Sequence, residues 1–219
     1  MAVLTAVKKY PRVTSVLGVL RKIGLEYWFK NNTAEFCDTE SARSKEIGSQ
    51  IHKIIQESIE SSDGKISDIE TQYPNEVTMA LKNFFAFKKD FPNIRLKRSE
   101  VSVTSEIYGY TGTLDCLAVE KGELFLFDWK TGKCDVGTKK EKEFPPIYPE
   151  HLYQVSAYVK AYNEQFKANI KSARVLALSK DKAAYNYFMV TENAINEMFE
   201  EVFLSALKIY NYEKKSGGK

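Results

Sequence analysis

The chain has 219 residues, of which 43% are hydrophobic and 13% aromatic, a balance that excludes disorder and collagen-like repeats. A folded chain of this mass buries roughly 70% of its unfolded surface, so no metal or disulfide is needed to hold it together and a bound metal would serve chemistry. The formal net charge is only +3 and no apolar run nears the roughly 20 residues that span a bilayer, so electrostatic attraction must be local and no membrane span is expected.

Helices come first. Thr14 or Ser15 can cap a helix to about Phe29, with Val16, Leu17, Leu20, Ile23 and Tyr27 near helical spacing. Asp38 to about Ser61 predicts a second helix, buried along Ile47, Ile51, Ile54, Ile55 and Ile59. Pro74 and Asn75 open a third, to about Asp90, in which Met79, Phe84, Phe85 and Phe87 argue for core contact.

The period then changes from helical to alternating. Val101, Val103 and Ser105 begin a strand, Thr111 to Glu120 form another, and the tight turn Lys121-Gly122 leads into Glu123 to Lys130, which predicts an antiparallel meander. Thr131 to Pro149 is a long, Lys-rich, proline-containing loop of the kind that forms lids or binding segments. A helix over Glu150 to Phe166, strands over 173–179 and 185–190, and a closing helix from Thr191 to about Lys214 complete the order ααα-βββ-α-ββ-α. The pattern reads as one domain to residue 215, with a helical part over 10–92, a sheet core with its helices over 93–212 and a flexible tail at 216–219.

Alternation along the strand from Glu123 puts Asp128 and Lys130 on one side, with Phe127 and Trp129 on the other. The short turn brings Asp115 onto the neighbouring strand at a similar level. Two carboxylates a few ångströms apart repel as anions, and a divalent cation between them relieves the repulsion. Gly109 and Gly112, just before Asp115, would let a backbone or a phosphate come close. Gly48 and His52 share a helix face at i, i+4; since Gly inside a helix costs about 1 kcal/mol against Ala, something is expected to pass near that face. Gln154 and Tyr158 repeat the i, i+4 spacing, with His151 one turn before.

Four segments, GSQIH (Gly48 to His52), GTLD (Gly112 to Asp115), DWK (Asp128 to Lys130) and QVSAY (Gln154 to Tyr158), resemble in order and spacing the motifs of the PD-(D/E)XK nuclease superfamily in its RecB-like branch. PRVTSVL (Pro11 to Leu17) and GYTGTLDCLAVEKGELFLFDWKTGK (Gly109 to Lys133) most resemble the mitochondrial genome maintenance exonuclease type, and the likeness runs from Pro11 to about Tyr212. The resemblance implies an α/β (α+β) fold: a restriction-endonuclease-like core with a mixed central sheet flanked by helices, behind an N-terminal helical part. It implies Mg²⁺- or Mn²⁺-dependent hydrolysis of DNA phosphodiesters. His52, Asp115, Asp128 and the backbone carbonyl of Trp129 would hold the metal, with Glu100 near a second one. Lys130 would orient and help activate the attacking water, which makes His52, Asp115, Asp128 and Lys130 the expected catalytic set. Gln154 and Tyr158 would steady the site and contact the substrate strand. RecB-like nucleases of the CRISPR-adaptation kind hold an iron–sulfur cluster with one cysteine before the core and three after it. Here no cysteine follows Cys134, so that cofactor is not expected.

These residue types suit the reaction: hard carboxylate oxygens favour Mg²⁺, and an imidazole shifts tolerance toward Mn²⁺. The expected enzyme is an exonuclease on single-stranded DNA ends, in DNA repair, replication or recombination, since no sequence-reading module is visible beyond the core. Two readings stand beside it: an RNA endonuclease of similar chemistry, and a catalytically silent nucleic-acid-binding module. Lys139 and Lys140 in the long loop can close over a threading strand, Phe144 or Tyr148 can stack on bases, and Thr14 and Ser15 at a helix N-terminus can contact a phosphate. The basic cluster from Lys82 to Arg98 reads as a solvated face. Cys37, Cys116 and Cys134 lack CxxC spacing, so a reducing, intracellular compartment is expected, the cytoplasm or a host cell for a viral source. Met1 to Leu25 has the acid-poor, basic composition of a transit peptide, which keeps a mitochondrial location compatible, but folded material is expected from Tyr10.

Overall fold

A computed structural model describes residues 9–61, 73–134 and 143–217. Folded material begins at Tyr10, as expected: its hydroxyl donates to Glu106, the Pro11 carbonyl accepts the Thr111 N–H and Arg12 bridges Thr111, before α1 (Val13–Val16) and a 3₁₀ turn (Leu17–Val19). Val13, Val16 and Leu17 are buried. The single helix expected from Thr14 to Phe29 is instead broken, because the backbone turns extended at Leu20 (ψ 139°) before α2 (Ile23–Lys30) begins. Two physical reasons combine: Gly18 and Gly24 weaken helix propagation, and sheet contacts hold the first half. Arg12 takes the N-cap position, so Thr14 and Ser15 cap nothing; both are exposed inside α1. Ile23 and Tyr27, which continue the helical spacing of Val16, Leu17 and Leu20, lie 70% and 69% exposed.

In α3 (Ala34–Glu60) the apolar stripe falls where its period requires, with Ile47, Ile51, Ile54 and Ile55 buried and Ile59 partly so. The helix starts before Asp38 because the Thr33 hydroxyl accepts the Phe36 N–H and caps it. α4 (Asn75–Asp90) packs Phe84 and Phe87 onto the sheet.

The sheet runs in the order β1 (Arg95–Ser105), β2 (Tyr110–Glu120), β3 (Glu123–Gly132), β4 (Ala173–Ser179), β5 (Tyr185–Val190). Only β3 and β4 pair parallel, as the crossover through α5 (Pro149–Phe166) demands. The other neighbours are antiparallel, including the meander β1-β2-β3. α3 and α4 cover one face, against Phe125, Phe127 and Trp129. α1, α5 and the closing helix cover the other, against Leu114 and Leu126; that helix is α6 (Glu192–Glu197) and α7 (Leu204–Lys215) joined by a π-helical turn at Met198–Phe203.

One irregularity shapes the sheet. Residues two apart on a regular strand share a face, yet Leu114 packs with the α5 side and Cys116 with the α3 side. The pleat therefore slips at Asp115.

The glycines divide by what lies over them. A Cβ on Gly112 would sit 2.4 Å from Tyr158 Cε1, so the close approach expected at this segment is made by a buried tyrosine ring of α5. A Cβ on Gly48 would meet only Thr131 Oγ1, at 3.5 Å, so what passes near that helix face is β3, at ordinary contact distance. Gly112→Ala should therefore destabilise the protein by about 1–3 kcal/mol through overpacking. Gly48→Ala should be neutral or stabilising by up to about 1 kcal/mol. Urea unfolding midpoints of the two variants check this, and equal losses would contradict it.

Candidate active site

The site forms where the β2–β3 ladder opens. Its last registered pair is Cys116 with Phe127; Asp115 and Asp128 come next on their strands, one step beyond it. From Leu126 onward β3 pairs with β4, with Asp128 opposite Val175 and Lys130 opposite Ala177. The Trp129 N–H does not return to β2 backbone but donates to Asp115 Oδ2 at 2.6 Å. The tryptophan ring is buried with Phe84 and Phe127, so the backbone of Trp129 faces the acids while its side chain anchors the strand.

Glu100 faces Asp115 from β1, between the pairs Ser99–Cys116 and Val101–Leu114. Its φ of 49° is left-handed, a conformation that costs a non-glycine residue about 1–2 kcal/mol and takes it out of the ladder. Across the cleft α3 presents His52, whose Nδ1 lies 3.5 Å from Asp115 Oδ1. His52, Glu100 and Asp115 each offer a ligand atom, all within 4.8 Å of one another. The three border a cleft of about 460 Å³ that Lys45 and Lys53 also line.

Asp128 sits behind them and is fully buried. Its Oδ2 lies 2.6 Å from Lys130 Nζ, and its Oδ1 has no hydrogen-bond partner among the described residues. The two acids are held differently. Burial favours the neutral form of Asp115, but His52, Lys130 and the Trp129 N–H outweigh it and keep its pKa below the ordinary carboxylate range. Burial raises the pKa of Asp128 despite Lys130, and Asp115 adds to the rise. For His52, burial opposes protonation, but the Asp115 carboxylate wins and the net shift is upward.

No protein-family model matches the chain. It is 29% identical over 131 residues to the human mitochondrial genome maintenance exonuclease 1, an alignment covering 58% of this chain and 35% of that protein. It is 32% identical over 68 residues to an ATP-dependent helicase/nuclease chain of Heliobacterium modesticaldum, covering 31% of this chain and 5% of that protein. The chain thus spans about a third of the first relative and a small part of the second. The solved structure of a candidate exonuclease from Eubacterium rectale matches it with a TM-score of 0.50 at 13% identity, covering 94% of this chain and 83% of that one. The chain resembles RecB-like PD-(D/E)XK nucleases in sequence and in fold.

In this RecB-like frame, α5 supplies the remaining wall. Gln154 Nε2 donates to the Tyr158 hydroxyl at 2.9 Å, and burial, then the Asp128 charge, raise the pKa of that hydroxyl. Both side chains therefore brace each other beside the acids. Thr14 and Ser15 are exposed on α1, with no hydrogen bond or ion pair to the acids. Lys139 and Lys140 lie outside the described residues, while Phe144 and Tyr148 are exposed just before α5.

Sequence reasoning gave His151 no function of its own. Its Nδ1 accepts the Tyr148 N–H at 3.2 Å, which closes the capping box of α5 and leaves Nε2 to carry the proton of the neutral ring. Burial, then the charges of Lys130 and Lys22, lower its pKa to about 3. The signal that could have flagged it is its place at the third position of a helix opened by proline.

The chain has only two histidines, so NMR can follow each ring. In metal-free protein His52 should titrate above the ordinary histidine value, near 6.5, and His151 should stay neutral below pH 5. The stability linkage has opposite signs. The unfolded chain protonates His151 near pH 6.5 and the folded chain does not, so that residue withdraws stability as pH falls from there toward 3. His52 contributes stability below its unfolded value and loses it as pH rises through its higher folded value. Parallel titration of both rings would contradict the assignment.

Proposed function

We propose that the protein is a divalent-metal-dependent nuclease that hydrolyses phosphodiester bonds, acting as an exonuclease on single-stranded DNA ends in repair, replication or recombination. The observation that carries this reading is the convergence of His52, Glu100 and Asp115 beside the buried Asp128–Lys130 pair. The residues fit a metal. One imidazole and two carboxylates offer hard or borderline donors, and the unpartnered, buried Asp128 Oδ1 is a further candidate. His52, Glu100, Asp115, Asp128 and the Trp129 carbonyl would be the ligands. A bound Mg²⁺ or Mn²⁺ would supply charge for the phosphate oxygens and a lowered pKa for water.

The rest falls to the chain's own groups. Lys130, held by Asp128, would orient the attacking water and offset charge on the phosphate as the water oxygen bonds to phosphorus and the P–O bond to the leaving nucleotide breaks. Gln154, braced by the buried Tyr158 hydroxyl, would steady the site and contact the substrate strand. The nuclease resemblance of the human and bacterial relatives supports the reaction class.

The test uses end-labelled single-stranded DNA, duplex DNA and RNA, with Mn²⁺ or with EDTA. Shortening of the single strand, stopped by EDTA, is expected; preferential cutting of RNA would favour the RNA endonuclease reading, and no cutting at all the silent module. Lys130→Ala should lower cleavage by about a hundredfold or more. It should also lose about 3 kcal/mol of stability, because buried Asp128 is left without its cation. Adding Asp128→Asn should recover much of that stability and none of the cleavage. Calorimetric Mn²⁺ titration gives a readout independent of turnover: Asp115→Asn should abolish the binding seen in the parent.

A further inference from the structure

The helix α2 reads IGLEYWFK and buries none of its residues. Ile23, Leu25, Tyr27 and Phe29 are all exposed, as is Phe36 at the start of α3. Trp28 lies against Phe29 and Phe36, with ring centroids 5.2 Å and 6.3 Å apart, so these three rings form one patch, and Tyr27, next to Trp28 in the chain, adds a fourth exposed ring to the helix. The apolar spacing that would place Ile23 and Tyr27 in a core has no core to meet among the described residues. A contiguous apolar patch of this kind marks an interaction surface more often than an accident of folding.

Its position says what would cover it. The 3₁₀ turn that precedes α2 packs on α5, the helix that carries Tyr158 and His151. Lys22, at the start of α2, is near enough for its charge to act on His151, as does that of Lys130. Against His151 stands Tyr148, whose ring meets the imidazole edge-on at 5.5 Å, with Phe144 exposed before it in the chain. The charges on α2 are one-sided. Lys22 and Lys30 flank it, and its one acid, Glu26, is occupied by Arg21 at 2.9 Å. Rings flanked by cations that make no ion pair among the described residues suit a chain with a phosphate backbone and unpaired, stackable bases; a duplex, whose bases are already stacked, offers those rings nothing.

We propose that α2 with Phe36 is a base-stacking wall for a single-stranded nucleic acid, which passes Lys22 and His151 on its way to Lys130. This rests on the nuclease reading, which already takes the substrate as a single strand, and adds to it the residues that select one.

The full-length protein in EDTA, where nothing is cut, separates stacking from charge. Anisotropy would compare binding of labelled oligothymidine, an abasic oligodeoxynucleotide of equal length and a duplex. Tyr27→Ser should weaken oligothymidine binding at least about fivefold, as expected for one lost base–aromatic stack, and leave the abasic strand within about twofold. Tyr27→Trp should restore it, which a merely misfolded variant would not. Of the two tryptophans, Trp129 is buried, so quenching by oligothymidine should come from Trp28 and be absent with the abasic strand. Unchanged oligothymidine affinity, equal losses on both strands, or a duplex bound as tightly as the single strand would overturn the proposal. So would a dimer, or binding to anionic vesicles, that Tyr27→Ser abolishes in its place. Cleavage by the parent protein is scored separately: a chain that binds as described and never cuts would sink the nuclease reading alone.

Discussion

Negative charge withdrawn from water at the split between β2 and β3 is the constraint on which the rest of the site depends. A buried carboxylate without partners is expensive, and here two stand side by side. Asp115 is satisfied by a backbone N–H and by His52, while Asp128 has one lysine and an oxygen with no hydrogen-bond partner among the described residues. Their surroundings push the two acids' protonation apart, the arrangement by which neighbouring carboxylates take different tasks. A cation would complete such a site; a purely structural ion pair would have no use for the unfilled oxygen.

The fold creates this place by changing partners. An antiparallel ladder and a parallel one meet on β3; beyond Phe127 only the parallel one continues, and the parting from β2 opens the gap. The slipped pleat at Asp115 and the left-handed Glu100 opposite it belong to the same distortion. Strain of this type persists only where packing over-determines it. The packing comes from both faces: Trp129 and Phe127 lock β3 from the α3 side, and the Tyr158 ring presses on Gly112 from the α5 side.

The N-terminal helices serve different ends. α3 spends its apolar stripe on the sheet and carries His52 to the cleft. α2 has a comparable stripe and no sheet to spend it on. The two are separated by a few residues only, and their patterns look alike until the fold decides which one is covered.

Much was legible in the sequence because it depends on local periodicity. The isoleucine stripe of α3, the alternation of β3 that pairs Asp128 with Lys130, and the tight turn that levels Asp115 with Asp128 all follow from the 3.6- and 2-residue periods of the backbone. The likeness of four short segments to a nuclease family pointed to the same residues, and with them to a mixed sheet. Other features depend on what arrives from far along the chain, and no local period records that. Only the tertiary structure shows that Gly112 yields to Tyr158, that Gly48 is not crowded, that Glu100 adopts a left-handed turn, that the first helix breaks at Leu20, and that Ile23 and Tyr27 stay outside. Periodicity states which side chains could share a face; burial requires a partner surface, and the long-range pairing of strands and helices alone determines where one exists.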